Sequence, residues 1–155
     1  MNRLIIISTQ FEILPLLTEL ELSNLRLGAV LPGLEDENHL MITGVGTPST
    51  IISLSRVCAA VHYDEIVQVG FCGSFDKEIP LGAVVEVISD CFGDLGFDDH
   101  GKFLPLHTEM PDVVGAYGVM ENQRHTLLPV KKGVTVNTAS GSESKIQQVI
   151  EAWDP

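Results

Sequence analysis

The sequence is poor in basic residues, and this shortage removes a class of partners. It has 9 lysines and arginines against 21 aspartates and glutamates, so its formal net charge is −12. A polyanionic surface would repel such a chain, and there is no basic cluster beyond Lys131-Lys132. We therefore expect neither nucleic acid nor an anionic membrane as a partner, and we interpret the charge as a source of solubility.

Cysteine is scarce too, and its pattern argues against a disulfide framework or a zinc site. The three cysteines, Cys58, Cys72 and Cys91, are odd in number, far apart and without a C-x-x-C pair. The five histidines show no H-E-x-x-H or similar spacing. The consecutive Asp98-Asp99-His100 would rarely converge on one ion, so we assign no metal.

Long hydrophobic runs are missing as well. No apolar run approaches the ~20 residues that a membrane span needs. The early apolar stretch at residues 4–7 is far shorter than a signal-peptide core, and no small-residue cleavage site follows it. We therefore expect a cytoplasmic protein.

What remains is a chain of 155 residues, 45% of them hydrophobic, which suffices for one domain spanning residues 1–155. Apolar, β-branched runs predict strands at 4–7, 40–43, 65–69, 83–88 and 133–137. Helices are predicted from Leu14, after Thr47 as N-cap with Pro48 in the first turn, and after Gly141-Ser142. Residues 92–125 read as loop. Alternating strands and helices indicate an α/β fold with its ligand site at the strand ends.

The helix predicted after Thr47 has a periodic apolar pattern. Its apolar residues at helical spacing are predicted to share one face: Ile51, Leu54, Cys58 and Val61.

Two of the predicted strands end in glycine-rich motifs. Gly44-Val45-Gly46 follows one, and Gly70-Phe71-Cys72-Gly73 follows the next. Glycine lets backbone amides approach a ligand closely, but a tight turn explains either motif about as well. Two such ends in one chain favour a pocket for a small molecule.

Glu12 lies just past the first predicted strand, where a carboxylate could act as a general base on water. It is also compatible with an exposed loop acid, or with a T-x-x-E capping box that begins at Thr9. Pro15 weakens the capping interpretation, because the helix begins later. From the residues alone, a structural role is favoured over a catalytic one.

A cluster of small polar residues precedes the last predicted helix. It contains Asn137, Thr138, Ser140, Gly141 and Ser142. Such a segment offers amides and hydroxyls to the edge of a base, and the alternative is ordinary helix capping by Ser142.

The order of these motifs resembles the purine nucleoside phosphorylase and nucleosidase superfamily. The resemblance rests on Glu12, on ITGVG at 42–46 and on VGFCGS at 69–74. Two further stretches look most like futalosine hydrolase: LGAVVEVISD at 81–90 with FGDLG at 92–96, and VTVNT at 134–138. The resemblance implies a three-layer phosphorylase/hydrolase-like sandwich with a central mixed sheet.

The resemblance also implies an activity and a set of site residues. The family hydrolyses futalosine to hypoxanthine and dehypoxanthine futalosine in menaquinone biosynthesis, without metal or organic cofactor and commonly as homo-oligomers. Glu12 is similar to its water-activating carboxylate. The implied substrate-binding residues are Val45, Gly46, Gly70, Phe71, Cys72, Gly73, Asn137, Thr138, Ser140, Gly141 and Ser142.

The chain departs from the family pattern near its end. The family continues to a Ser-Met-Glu-Gly motif that holds the ribose and to an aspartate that protonates the purine, whereas this chain stops at Trp153-Asp154-Pro155. It also has Ser140 where the family tends to have histidine. We expect the 155-residue chain alone to show little or no hydrolase activity.

Three alternatives stay open. One is a methylthioadenosine or adenosylhomocysteine nucleosidase, and another is a catalytically inert fragment. The third, a nucleoside phosphorylase, is disfavoured because only Arg26 and Arg56 lie near the glycine motifs in sequence.

Overall fold

The chain folds into two compact units, Met1–Cys72 and Gly73–Pro155. A computed structural model describes residues 1–19, 30–32, 38–114, 118–123, 126–139 and 141–153. Strands and helices alternate, and both main sheets are mixed, in agreement with the predicted α/β class with mixed strand directions. Within the described residues, no helix has the length and hydropathy of a membrane span.

The first unit is built on one four-stranded sheet. Its strands are β1 (Arg3–Ile7), β2 (Val30–Pro32), β3 (Asn38–Ile42) and β4 (Glu65–Gln68), in the order β2-β3-β1-β4. Strands β3, β1 and β4 run parallel, and β2 is antiparallel to β3. A 3-10 turn (Gln10–Ile13) and helix α1 (Leu14–Glu19) follow β1, and helix α2 (Thr47–Ala60) connects β3 to β4.

Both faces of this sheet bury apolar side chains, as expected for parallel strands. One face carries Leu4, Ile6 and Met41, against which Leu54 and Val57 of α2 pack together with Tyr63. The other carries Ile7, Leu40 and Ile42 with Ile13 of the 3-10 turn. The alternation of β1 and β3 side chains between the two faces fixes their register.

Two sequence predictions about α2 are corrected. The helix turns Leu54 and Val57 to the sheet, so Ile51 and Cys58 are exposed rather than on a shared buried face. The packing partner selects the stripe, which sequence spacing alone cannot fix. The helix begins at Thr47, so the N-cap is Gly46 and not Thr47. The backbone at Gly46 has a φ of 87°, a conformation that favours glycine.

The second unit contains a three-stranded sheet and a hairpin. The sheet strands are β5 (Glu86–Cys91), β8 (Val119–Glu121) and β9 (Val130–Lys132), in the order β8-β5-β9. The hairpin pairs β6 (Gly96–Asp99) with β7 (Lys102–Pro105), and the helices are α3 (Leu106–Glu109), α4 (Pro111–Val114) and α5 (Glu143–Trp153). The last predicted helix is therefore confirmed.

The other predictions for this unit need correction. The strand predicted at 83–88 lies at Glu86–Cys91, because pairing with β8 and β9, rather than valine content, sets its limits. Residues 92–125, predicted as loop, contain the hairpin, two short helices and β8. The strand predicted at 133–137 is reduced to a single bridge between Phe92 and Thr135, since the ladder with β5 is irregular and β9 ends at Lys132.

Candidate functional site

The strand order places a switch in chain direction at the carboxyl ends of the first sheet's parallel strands. From the central strand β1 the chain goes to β3 on one side, and it then returns to β4 on the other. At such a switch in direction, the loops at the carboxyl ends of neighbouring strands separate and leave room for a ligand. Here those loops follow β1 and β4, and the first of them carries Glu12.

The Glu12 carboxylate links these two loops. Its Oε2 accepts hydrogen bonds from the backbone N–H of Thr9 at 2.8 Å and from the Thr9 hydroxyl at 2.9 Å. Its Oε1 accepts one from the backbone N–H of Phe71, 59 residues further along, at 3.1 Å. The contact with Thr9 is the capping interaction that the sequence suggested, and the contact with Phe71 goes beyond a cap. A half-buried carboxylate is thus held at these strand ends by three donors.

Gly70 is the residue that makes room for this carboxylate. A Cβ added at Gly70 would lie 2.9 Å from Glu12 Oε1, closer than atoms of that kind tolerate. At Gly73, the other glycine of the motif, an added Cβ would meet nothing within 4 Å. The two glycines look alike in sequence but differ in the structure. Of the two, only Gly70 must lack a side chain for the Glu12 carboxylate to fit.

The end of β3 contributes the second glycine motif to the same edge. Gly44 and Gly46 have φ values of 88° and 87°, which residues with a Cβ rarely adopt. The buried Thr43 fixes this corner, because its N–H donates to the Ile7 carbonyl at 2.9 Å. Its own carbonyl accepts from the Ser53 hydroxyl of α2 at 3.0 Å. The backbone of this motif is therefore set in place before any ligand binds.

Three exposed apolar side chains belong to the loops at this edge. Phe11 is 74% exposed, Val45 73% and Phe71 79%, and each follows a different parallel strand. Single exposed apolar residues are ordinary, but three in neighbouring loops at one edge of a sheet are typical of a binding site for a ring or an apolar group.

The predicted base-side residues lie in the second unit, and several of their donors are already used. The carboxylate of Asp94 accepts from the backbone N–H groups of Asn137 at 2.6 Å and Thr138 at 3.2 Å. It also accepts from the side-chain amide of Asn137 at 3.0 Å. Asn137 and Thr138 therefore present fewer free donors than the sequence suggested.

The remaining predicted base-side residues are placed as follows. Ser140 lies outside the described residues. Gly141 is exposed and has open space around it. Ser142 is exposed just before α5, and its hydroxyl lies 3.4 Å from that of Ser144.

Two of the three cysteines are exposed and one is buried. Cys72 of the predicted pocket is exposed, as is Cys58. Burial, and then the neighbouring Asp90, raise the pKa of Cys91 to about 11. Across the described ranges, no three histidine, cysteine, aspartate or glutamate side chains gather as a metal-binding group would.

Sequence reasoning missed two residues that organise these segments. In sequence, Asp94 is one residue of the FGDLG stretch and Thr43 one residue of the ITGVG motif. Neither could be singled out, because each works through partners far away in the chain, Asn137 for Asp94 and Ile7 for Thr43. Thr9 was considered only as a cap.

Comparison with known proteins gives different results for sequence and structure. No protein-family model and no curated protein sequence matches the chain. Among solved structures, it is similar to a mutant futalosine hydrolase of Helicobacter pylori, with a TM-score of 0.68 and 12% identity over 99% of this chain and 77% of that one. The chain has a nucleosidase fold.

Two further structures support this nucleosidase fold. The MTA/SAH nucleosidase of Streptococcus pneumoniae in complex with 8-aminoadenine gives a TM-score of 0.67 at 16% identity, over 99% of this chain and 72% of that one. The 5'-methylthioadenosine/S-adenosylhomocysteine nucleosidase of Neisseria meningitidis in complex with methylthio-immucillin-A gives 0.65 at 13%, with the same coverage. At such identities the likeness establishes the fold and leaves the substrate open.

Proposed function

We propose that this protein is a nucleoside N-glycosidase that uses Glu12 to activate water, with futalosine as the first candidate substrate. The observation that carries the proposal is the position of Glu12. Its carboxylate lies at the switch in strand direction and is held from both neighbouring loops by Thr9 and Phe71. A general base needs this kind of fixed geometry at a strand-end crevice.

The reaction that fits this geometry is displacement of a purine by water. A water molecule hydrogen-bonded to Glu12 would give its proton to the carboxylate while its oxygen bonds to C1′ of the ribose. The bond between C1′ and the purine nitrogen breaks, and its electron pair leaves with the purine. The transition state has oxocarbenium character, which a nearby carboxylate stabilises.

The other proposed contacts come from the resemblance. We propose that Val45 and Gly46 face the ribose and that Gly70, Phe71, Cys72 and Gly73 line the nucleoside pocket. The resemblance assigns the base side to Asn137, Thr138, Ser140, Gly141 and Ser142. The exposed side chains of Phe11, Val45 and Phe71 supply the apolar surface that a nucleoside would cover.

Two substrates compete for this site. Futalosine is favoured by the stretches at 81–96 and 134–138 and by the structural similarity to a futalosine hydrolase. Methylthioadenosine or adenosylhomocysteine is favoured by the similarity to the MTA/SAH nucleosidases. A role in menaquinone biosynthesis follows only in the first case.

A phosphorylase is less well supported, because Arg56, the candidate phosphate ligand within the described residues, is poorly placed. Arg56 lies nine residues after the start of α2, and nine residues extend about 14 Å along a helix. It is exposed on that helix, far from the Gly46 end. Arg26 lies outside the described residues.

The decisive experiment is a turnover assay with the three nucleosides. Protein expressed from the complete reading frame is incubated with futalosine, methylthioadenosine or adenosylhomocysteine, with and without phosphate, and the released base is quantified. Release of hypoxanthine from futalosine without phosphate supports the proposal. Release of adenine alone selects the second substrate class, and a phosphate requirement selects a phosphorylase.

An inert protein is distinguished by binding. If no nucleoside is cleaved and calorimetry shows no heat with millimolar hypoxanthine, the glycosidase proposal is wrong. A homo-oligomeric state and a cytoplasmic location remain predictions from the resemblance and the composition.

A further inference from the structure

Thr9 makes two contacts with Glu12, and both go to the same oxygen. The residue has extended backbone angles, φ −137° and ψ 155°, at the N-cap of the 3-10 turn. This conformation directs its N–H and its hydroxyl to Oε2, at 2.8 Å and 2.9 Å. Among the residues that the structure describes, the other oxygen, Oε1, receives only the N–H of Phe71.

The two oxygens of the carboxylate are therefore unequal as acceptors. A carboxylate offers about four lone-pair directions, two on each oxygen. Thr9 occupies both on Oε2, and Phe71 occupies one on Oε1. With respect to the described residues, the direction that stays vacant belongs to Oε1, which is also the atom that a Cβ at Gly70 would approach to 2.9 Å.

We propose that Thr9 is a positioning residue that directs Oε1 of Glu12 to the reacting water. The inference rests on the proposed function, because it assigns the proton acceptor of that reaction to one oxygen. Thr9 acts by holding Oε2 of Glu12 through its N–H and its hydroxyl. When the hydrogen bonds to Oε2 are lost, the carboxylate rotates. Its hydrogen bond from the Phe71 N–H then weakens, and Oε1 no longer points to the reacting water.

The matched variants are Thr9→Val and Thr9→Ser in the full chain. Valine keeps the size and the backbone N–H but removes the hydroxyl, whereas serine keeps the hydroxyl. A hydrogen bond to a charged group is worth enough to change a rate about tenfold or more. We expect Thr9→Val to lower kcat about tenfold with KM within about twofold, and Thr9→Ser to restore most of kcat.

A second measurement does not depend on turnover. The amide proton of Phe71 is followed by NMR in the wild type, in both Thr9 variants and in Glu12→Ala. We expect the Phe71 resonance of Thr9→Val to move toward that of Glu12→Ala, and the resonance of Thr9→Ser to stay near the wild type. Unchanged resonances from the sheet core at Leu4, Ile6 and Met41 show that the unit is folded.

The outcomes separate the two proposals. A Phe71 resonance in Thr9→Val that equals the wild type overturns the positioning role, whatever the activity. An active wild type with an unchanged kcat in Thr9→Val overturns it as well. A wild type that cleaves no nucleoside and binds no hypoxanthine overturns the proposed function and, with it, the assignment of the water to Oε1, whereas the NMR result still decides whether Thr9 positions Glu12.

Discussion

Glu12 of the first unit and Asp94 of the second are bonded in the same way. Each carboxylate accepts three hydrogen bonds, two on one oxygen and one on the other. In each case the donors include backbone N–H groups of a loop distant in sequence. The number of bonds alone therefore does not distinguish a catalytic carboxylate from one that holds a loop.

The surroundings distinguish them. Glu12 is half-buried at the ends of parallel strands, next to loops with exposed Phe11 and Phe71. Asp94 is exposed, and all three of its donors come from Asn137 and Thr138. A partly buried carboxylate acts in a lower dielectric, where its charge influences a reacting group more strongly. This contrast supports the proposal that Glu12 carries the chemistry, whereas Asp94 holds a loop.

The largest expected effect is the loss of the Glu12 charge. Glu12→Gln keeps the size but places an NH₂ group where an oxygen now meets a donor, and it removes the base. We expect kcat with the active nucleoside to fall about 10²–10⁴-fold, the usual contribution of general acid–base catalysis. Steady-state kinetics checks this, and a kcat within threefold of the wild type would remove Glu12 from the mechanism.

The next effect comes from Gly70→Ala, with Gly73→Ala as the matched control. The new Cβ at position 70 would meet Glu12 Oε1 at 2.9 Å, whereas the one at position 73 meets nothing. We expect Gly70→Ala to displace the carboxylate, to shift the Phe71 amide resonance and to lower the midpoint of thermal unfolding by a few degrees. Equal shifts in the two variants would show that the carboxylate does not depend on Gly70.

A smaller effect is expected from Asp94→Asn. The amide can satisfy only part of the three contacts, because its NH₂ group faces another donor from Asn137 or Thr138. We expect KM to rise severalfold with kcat within about twofold, since the segment proposed to bind the base loosens and the proposed general base is untouched. A fall in kcat as large as that of Glu12→Gln would contradict the division of roles between the two carboxylates.

The smallest effect concerns the thiols. Burial raises the pKa of Cys91 to about 11, so at pH 8 only about one thousandth of it is the reactive thiolate. Cys58 and Cys72 are exposed. Iodoacetamide at pH 8, followed by peptide mass spectrometry, should modify these two and spare Cys91 until the protein is unfolded. Equal labelling of all three in the folded protein would contradict the burial of Cys91.

Much of the first unit could be predicted from sequence, because local and long-range preferences agree there. The apolar run of β1, the start of the helix at Leu14 and the extent of α2 after Gly46 follow from local sequence patterns. The face that α2 packs against the sheet does not. The second unit was predicted less well. Its strands are short, and the limits of β5 and β9 depend on pairing between segments more than 40 residues apart. Strand propensity carries no information about such partners.

The sequence by itself determined the α/β class, the two glycine-rich strand ends and the candidacy of Glu12. Only the tertiary structure decided that Gly70 rather than Gly73 makes room for the carboxylate, and that Phe71 donates to it from 59 residues away. It also decided that Asn137 and Thr138 give their donors to Asp94. The physical reason is that hydrogen bonds and steric exclusion act over a few ångströms in space. Sequence spacing fixes such distances only within one helix or strand, whereas these contacts join segments that the fold brings together.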